Sequence, residues 1–467
     1  MSGLFGVISS RDCSKTLFYG TDYHSHLGTE KAGMATFYSG RFYRIIHDIS
    51  QAQFRSKFVD ELSQIKGKIG IGVISDFAPQ PILISSHFGD FAIVATGLLR
   101  NKETLIKEIK KHDGSFSEIT NGEINSVEVA GKIIASQPNL MAGINYFFSR
   151  LRGSMSMLIL TSKGIYAVRD YWGRSSLTMA HQGKTWAVAS ETCAFPNLGF
   201  KIKKELAPGE VLFLSKKGAV IQQKGQLKRK VCSFAWIYTG YPASAYEGIS
   251  VERVRERSGA NLAKRDEKEG LKVDLVAGIP DSGTAHAIGY AHQALIPFRR
   301  VLVKYTPSYG RSYMPPDQIM RDRIAEKKLI PIPSLIKGKK IVICDDSIVR
   351  GTQLRNQVIN RLWQYGAKEV HVRIACPPLM FHCPYFLSTK KDTELASRRA
   401  IKVMMKNKKI ILNKFMDEKS RWYQKMVDYI ANEMGVTSLK YQTLPDMIKA
   451  IGLSPRQLCC YCWRGKD

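Results

Sequence analysis

The feature that most constrains this chain is a strand that ends in two acidic residues and leads into a hydroxyl-bearing loop. Residues 341–344 are apolar and predict a buried strand, Asp345 and Asp346 follow directly, and the loop 347–352 opens a helix. Backbone N–H groups at a helix start bind phosphate, helped by the helix dipole and nearby hydroxyls. The carboxylates can accept hydrogen bonds from a sugar or help to hold a hydrated Mg²⁺. The string predicts a site for a phosphorylated sugar; the alternative is that one acid only caps the helix.

The second half of the chain alternates strands and helices around this string. Residues 273–279 predict a buried strand that is followed by a turn and a helix, and residues 370–374 predict a later strand. A helix is predicted from Thr352 to a stop at Gly366, with apolar residues at helical spacing: Leu354, Val358, Ile359 and Leu362. Alternation of this kind is typical of a parallel sheet, whose ligands bind beyond the carboxyl ends of the strands.

The first half of the chain reads mainly as hairpins. Residues 153–160 and 165–168 flank a glycine-containing turn, residues 211–214 and 219–221 repeat the pattern, and residues 126–134 predict a helix. Hairpin sheets with helices beside them indicate a layered α+β domain. A polar, basic stretch from 222 to 230 suggests a boundary, which gives predicted domains of 1–228 and 229–467.

The charge balance points to an anionic partner without choosing among several. There are 70 Lys and Arg against 40 Asp and Glu, so the net charge is +30, which suits nucleic acid, an anionic membrane surface or a phosphorylated substrate. No apolar run approaches the roughly 20 residues of a membrane helix, and the first residues lack a signal-peptide pattern. Nine cysteines in such a chain disfavour a disulfide scaffold and lead us to expect a reducing, cytoplasmic setting.

Several motifs together resemble one protein family over essentially the whole chain. The string 341–352 resembles the phosphoribosylpyrophosphate (PRPP) signature of type I phosphoribosyltransferases, 280–284 resembles their pyrophosphate loop, and 304–314 resembles their flexible loop. Three further segments resemble parts of glutamine-hydrolysing domains with an N-terminal nucleophile: 169–177, 189–195 and 208–210. In this order the motifs resemble the glutamine PRPP amidotransferases.

That resemblance implies a fold and a reaction. The implied fold is an αββα N-terminal-nucleophile domain followed by an α/β type I phosphoribosyltransferase domain with a parallel sheet. The implied reaction is displacement of pyrophosphate from C1 of PRPP by ammonia released from glutamine, which gives 5-phosphoribosylamine at the start of purine synthesis. A dimer or tetramer is also implied.

The resemblance assigns roles to individual residues. Asp345, Asp346 and the flexible-loop Arg311 are the implied catalytic residues, and Ser282, Asp345 and Asp346 are the implied surroundings of Mg²⁺. Asp281, Ser282 and Gly283, together with Lys304, would bind pyrophosphate. The implied binding residues for the 5-phosphate are Ser347, Ile348, Val349, Arg350, Gly351 and Thr352.

The glutaminase half departs from the family pattern. Ser2 stands at the position of the family's cysteine nucleophile, and an alcohol is not ionised at neutral pH as a thiol partly is. The residues that grip glutamine in the family also differ here, at Leu27, Ile74, Thr96 and Ser126. We therefore expect glutamine hydrolysis to be weak or absent, with free ammonia, or ammonia taken from another protein, as the substrate.

The cysteines suggest a metal centre near the C-terminus. Cys459 and Cys462 form a C-x-x-C pair, and Cys232 and Cys383 match the other two cysteine positions in the family's iron–sulfur branch. Four thiolates at these places make a [4Fe–4S] cluster the preferred hypothesis. A structural Zn²⁺ in a Cys₄ site is the runner-up, since the ligand set alone fits both.

A second class of function stays open on the sequence alone. A protein of this fold could have kept PRPP recognition as a regulator and used its basic surface to bind nucleic acid or another partner. The sequence contains no recognised nucleic-acid reading motif, and the flexible-loop segment is present. The enzyme is therefore the favoured hypothesis.

Overall fold

A computed structural model describes residues 2–76, 78–112, 114–120, 122–305, 329–386, 391–406 and 411–467. The chain divides into two compact units. The first contains Met1–Cys232, Ala243–Gly248 and Pro384–Leu387, and the second contains Ser233–Pro242, Ile249–Cys383 and Ser388–Asp467.

The first unit contains two antiparallel sheets. The seven-stranded sheet has the order β13 (Lys201–Glu205), β11 (Thr178–Gln182), β12 (Thr185–Ala189), β1 (Gly3–Ile8), β4 (Ile69–Ser75), β2 (Lys31–Tyr38) and β3 (Arg41–Asp48). The six-stranded sheet has the order β15 (Gly218–Gln223), β14 (Val211–Ser215), β10 (Ile165–Val168), β9 (Gly153–Thr161), β6 (Phe91–Leu99) and β5 (Ile82–Ile84). Four short strands complete the unit: β7 (Ile119–Thr120), β8 (Glu123–Ile124), β16 (Val231–Cys232) and β17 (Ala245–Tyr246).

Helices cover the outer faces of both sheets. The helices of this unit are Ser14–Asp22, Phe54–Phe58, Lys102–Lys110, Ser126–Ala135 and Leu140–Arg150, with tighter turns at Thr192–Ala194 and Pro196–Leu198. One apolar core lies between the sheets and joins Leu4 and Ile71 to Leu158 and Leu212. Two further cores lie between each sheet and its helices. The layered α+β domain predicted from the hairpins and the 126–134 helix is therefore confirmed, in the αββα arrangement that the resemblance implies.

The second unit is built on a four-stranded sheet that is parallel throughout. Its order is β19 (Leu275–Gly278), β22 (Lys340–Asp345), β23 (Glu369–Ile374) and β24 (Ser438–Tyr441). The other strands are β18 (Ile249–Ser250), β20 (Leu302–Lys304), β21 (Leu329–Pro331) and β25 (Leu458–Cys459). The predicted parallel sheet is confirmed, and the carboxyl ends of β19 and β22 lie side by side because Gly278 pairs with Cys344.

Helices and turns surround this sheet. The helices are Val251–Lys268, Thr284–Ala294, Pro333–Ile336, Thr352–Leu354, Asn360–Gln364, Ala396–Met405, Asn413–Met416, Arg421–Met434, Leu444–Ile451 and Tyr461–Arg464. Wide turns occupy Ala235–Thr239 and Arg355–Ile359, and a tight turn occupies Asp392–Glu394. The helix predicted from Thr352 is present as one unbroken run to Gln364, of which Arg355–Ile359 is wound as a π-helix. Its apolar residues Leu354, Val358, Ile359 and Leu362 are buried as their spacing predicts. Among the described residues, no helix is long and apolar enough to cross a membrane.

Candidate functional site

The acidic pair lies at the carboxyl end of β22, beside the end of β19. The Ser282 hydroxyl donates to Asp345 Oδ1 at 2.7 Å, and the backbone N–H of Asp346 donates to the same oxygen at 2.9 Å. Ser347 Oγ donates to Asp346 Oδ1 at 2.5 Å. The structure therefore brings Ser282, Asp345, Asp346 and Ser347 together at the edge where parallel sheets bind ligands.

Burial makes this carboxylate pair electrostatically unusual. Desolvation raises the pKa of Asp345 to about 6, against which the Ser282 hydrogen bond acts. Desolvation and the neighbouring Asp345 charge raise the pKa of Asp346 well above its ordinary value. Asp346 is buried and Asp345 is half-buried. Two adjacent carboxylates with little access to water favour any cation that approaches them, so the site suits a positively charged sugar carbon or a metal ion.

The predicted pyrophosphate loop, residues 280–284, follows β19 and lies directly against β22. A Cβ on Gly283 would be 1.9 Å from the carbonyl oxygen of Cys344, so only glycine allows this approach. Lys304, at the end of β20, pairs with the exposed carboxylate of Asp281 at 3.1 Å between Nζ and Oδ2. Lys304, Asp281, Ser282 and Gly283 thus belong to one neighbourhood. Arg311 and the rest of the predicted flexible loop beyond Tyr305 lie outside the described residues.

The predicted phosphate loop turns at Gly351, where φ is +79° and a side chain would be strained. Ile348 is buried beneath the loop, while the Arg350 side chain is exposed and pairs with Glu394. Thr352 begins the helix Thr352–Leu354. The loop therefore leaves β22 beside the acidic pair and ends at a helix start, as its sequence predicts.

Ser2 occupies a closed position in the first unit. Its side chain is 1% exposed, and its hydroxyl lies 3.5 Å from the hydroxyl of Ser75. His24 is also fully buried: Nδ1 lies 2.8 Å from the Gly20 carbonyl and donates to it, so Nε2 accepts from the Glu191 N–H at 3.2 Å. Because both ring nitrogens are engaged, His24 cannot take the proton of Ser2.

Apolar and neutral side chains stand at the four positions to which the resemblance assigns glutamine-binding groups. Ile74 is fully buried and belongs to the core between the seven-stranded sheet and its helices. Leu27 is buried as well. Thr96 has a buried hydroxyl without a hydrogen-bond partner among the described residues, and Ser126 lies at the start of the helix Ser126–Ala135. None of these four side chains carries a charge that could bind the carboxylate or ammonium group of glutamine.

Glu191 is the buried acid of this pocket. It accepts hydrogen bonds from Ser244 and Tyr246, and Oε1 lies 3.5 Å from His26 Nε2. Burial opposes the charge, but hydrogen bonds and the His26 side chain hold the pKa of Glu191 below its ordinary value. The Glu191 carboxylate is therefore held in place by these neighbouring side chains.

Three of the four predicted cluster cysteines lie in the second unit, on segments that contact each other. The backbone N–H groups of Met380 and Phe381 donate to the Cys462 carbonyl at 2.9 and 3.1 Å, which brings the loop before Cys383 against the C-x-x-C segment. Ser233 Oγ donates to the Cys459 carbonyl at 2.8 Å. Ser233 directly follows Cys232 in the chain.

A metal site in a protein needs several ligating side chains around one point. Within the described ranges, no group of three or more His, Cys, Asp or Glu side chains is placed to hold a metal ion. Two carboxylates and a hydroxyl do suit Mg²⁺, which keeps several waters and takes its remaining ligands from substrate phosphates.

Some charged residues of the second unit make contacts that gave no signal in the sequence. Glu394 and Arg399 contact the phosphate loop although they lie more than forty residues further along the chain. Asp266 is buried on the helix Val251–Lys268 and binds Arg373 at 2.5 Å and Lys440 at 2.7 Å. Charged residues on separate elements carry no spacing pattern, so only the tertiary structure reveals these contacts.

Comparisons with known proteins agree with both units. Residues 68–197 match the family described as glutamine amidotransferase domain. The chain is 30% identical to an amidophosphoribosyltransferase of Methanocaldococcus jannaschii, over 100% of this chain and 97% of the relative. It is 29% identical to an amidophosphoribosyltransferase of Bacillus subtilis, over 99% of this chain and 93% of the relative. The structure of glutamine PRPP amidotransferase from B. subtilis complexed with ADP and GMP matches with a TM-score of 0.83 and 28% identity, over 99% of this chain and 96% of that one.

Proposed function

The chain belongs to the amidophosphoribosyltransferases, the pentosyltransferases of the first step of purine biosynthesis, and we propose that this member has kept the transferase reaction and lost glutamine hydrolysis. The observation that carries the proposal is a contrast between two pockets. The acid pair of the second unit is buried beside its two phosphate-binding loops, whereas Ile74 in the first unit is packed into a core where a glutamine-binding charge would be needed.

The transferase reaction follows from the placement of charges in the second unit. Asp281, Ser282, Gly283 and Lys304 would bind the pyrophosphate, and the loop 347–352 would bind the 5-phosphate at the other end of the sugar. The ribose would then lie over Asp345 and Asp346. Carboxylates held there stabilise the positive charge that develops on the sugar ring as pyrophosphate leaves.

Magnesium would be held at the same place, by Asp345, Asp346 and Ser282 with water and substrate oxygens. When bound, Mg²⁺ would neutralise part of the charge of the leaving pyrophosphate. The protein residues themselves orient PRPP and exclude water, so that ammonia is the nucleophile that reaches C1.

The loss of glutamine hydrolysis rests on the whole pocket and not on Ser2 alone. His24 cannot act as a base for Ser2, since both of its ring nitrogens are engaged. Leu27 and Ile74 also offer no charge to the amino-acid end of glutamine. The enzyme would therefore use free ammonia, or ammonia produced by another protein.

Glutamate release from glutamine, measured with PRPP present, tests this loss directly. We expect no release above background by the wild type or by Ser2→Cys, because the thiol restores the nucleophile but not the pocket. Pyrophosphate release with ammonium is the control for a folded transferase unit. Full rescue of glutaminase activity by Ser2→Cys would contradict the lost-pocket argument.

We also propose that Cys232, Cys383, Cys459 and Cys462 hold a [4Fe–4S] cluster with a structural role. The backbone contacts of Cys462 support this assignment within the second unit, because they hold the segment before Cys383 against the C-x-x-C segment.

Iron and sulfide analysis together with the visible absorption spectrum tests the cluster. We expect a brown protein whose colour and iron are lost in Cys462→Ala. The neighbouring Cys460→Ala is the matched control and should retain both. A colourless wild type that contains stoichiometric zinc would replace the cluster by the Zn²⁺ alternative.

The competing function is a PRPP-binding regulator without catalysis. Tight PRPP binding with no pyrophosphate release, with ammonium or with glutamine, would establish it. Retention of the wild-type protein on nucleic acid at physiological salt would then show that the regulator binds nucleic acid through its basic surface.

A further inference from the structure

The helix Ala396–Met405 and the turn before it contact the proposed phosphate loop through its backbone. The N–H of Ala396 donates to the Val349 carbonyl at 2.8 Å. The Arg399 guanidinium donates from one terminal nitrogen to the Arg350 carbonyl at 2.7 Å and from the other to the Glu394 carbonyl at 3.2 Å. Glu394 in turn binds the Arg350 side chain. Two successive carbonyls of the loop are therefore held by one segment.

The geometry of the peptide bond converts these contacts into an orientation of the loop donors. The peptide bonds after Val349 and Arg350 are trans, so each carbonyl points opposite to the N–H of the next residue. With both carbonyls turned toward Ala396 and Arg399, the N–H groups of Arg350 and Gly351 point to the other side of the loop. Backbone N–H groups turned to one side are what a phosphate-binding loop must present.

We propose that Arg399 and Glu394 are positioning residues for the 5-phosphate of PRPP. Arg399 fixes the peptide unit after Arg350, beside the one after Val349 that the Ala396 N–H holds. Glu394 fixes the side chain of Arg350 at the edge of the same loop. The inference rests on the proposed function, because it takes the loop 347–352 as the binding site for that phosphate.

The segment that provides these contacts is itself tied down. The carboxylate of Asp392 accepts from the backbone N–H of His382 at 2.7 Å and lies 2.6 Å from its Nδ1. Ser397 donates to the Leu379 carbonyl. Arg399 therefore projects from an anchored segment and holds the loop instead of following its movements.

Binding of two probes by calorimetry separates this role from a general structural one. Ribose 5-phosphate reports on the phosphate loop, and inorganic pyrophosphate reports on the loop 280–284. We expect Arg399→Met to weaken ribose 5-phosphate binding by about tenfold or more and to leave pyrophosphate binding unchanged. Lys402→Met is the matched control, since it removes an exposed cation from the same helix and should bind both probes like the wild type.

Kinetics give a second readout. Arg399→Met should raise the KM for PRPP more than it lowers kcat, because the phosphate end of the substrate is bound before and during the reaction. Arg399→Lys should recover only part of the affinity, since a single ammonium cannot reproduce the two guanidinium contacts.

Thr352→Val separates failure of this inference from failure of the proposed function. If Thr352→Val weakens ribose 5-phosphate binding while Arg399→Met does not, the loop assignment stands and the positioning role is refuted. If neither variant changes ribose 5-phosphate binding, the loop is not the phosphate site and both proposals fall. Equal weakening of both probes in Arg399→Met would show a structural role and would also overturn the inference.

Discussion

Acid should destabilise the first unit through His24. The imidazole is fully buried and neutral, with Nδ1 donating to Gly20 and Nε2 accepting from the Glu191 N–H. Desolvation lowers the pKa of His24 from 6.5 to about 4, against the attraction of the Glu191 charge. Protonation at Nε2 would also set an N–H against the N–H of Glu191, so the folded unit resists it.

The size of the effect follows from linkage. Below pH 6.5 the unfolded chain takes up a proton that the folded unit refuses until about pH 4. Unfolding free energy is therefore lost as the pH falls through this window and levels off below it. The gap corresponds to roughly 3 kcal/mol, since one pKa unit is worth about 1.4 kcal/mol.

Hydrogen exchange of amides in β1 (Gly3–Ile8) measures this loss, because that strand lies inside the seven-stranded sheet. After correction for intrinsic rates, protection in the wild type should fall by about 40-fold between pH 6.5 and 4.5. In His24→Gln, whose amide oxygen can still accept from Glu191 and does not titrate, most of this fall should vanish. Equal falls in both proteins, or none in the wild type, would refute the argument.

Three further perturbations test other parts of the structure. Asp345→Asn and Asp346→Asn should each lower kcat for pyrophosphate release by at least about a hundredfold with unchanged thermal unfolding, because they remove charge opposite the sugar; near-normal turnover would place the ribose elsewhere. Asp266→Asn should destabilise the second unit by about 3–5 kcal/mol in urea denaturation, since it leaves the buried Arg373 without its carboxylate. Desolvation acts to raise the pKa of wild-type Asp266, but its partners, chiefly Arg373, hold that pKa below its usual value. The stability that the ionised carboxylate contributes is therefore present above about pH 4 and is lost as the pH falls further. A urea midpoint that does not change in acid would contradict this expectation.

The sequence predicted the elements whose signals are local. Apolar residues alternate with others on both sides of a turn in the hairpin of β9 (Gly153–Thr161) and β10 (Ile165–Val168). The two strands pair as predicted. The strand β22 and the two acids after it are continuous in the sequence. The position of Asp345 at the carboxyl end of a buried strand could therefore be predicted directly. The fold class and the family are confirmed for the same reason.

Interactions between distant segments could not be predicted in this way. The π-helical winding of Arg355–Ile359 lies within a continuous helix whose apolar spacing gives no sign of it. The contacts of Arg399 with the phosphate loop join residues 49 apart, and the engagement of both His24 nitrogens depends on Gly20 and Glu191 from different parts of the chain. Each depends on how elements pack, which residue types and spacing do not encode locally.

The basic composition is only partly explained by these sites. Lys304 and Arg350 lie beside the proposed phosphate positions, yet Arg350 is already paired with Glu394 and Lys304 with Asp281. One phosphorylated substrate does not require a net charge of +30. Most of the excess therefore serves no contact identified in either site.

The central claim is that the transferase site works while the glutaminase site does not. Pyrophosphate release from PRPP, measured with ammonium and separately with glutamine at equal nitrogen concentration, tests it most directly. We expect pyrophosphate release with ammonium and none above background with glutamine. Equal turnover with both nitrogen sources, or silence with ammonium, would contradict it.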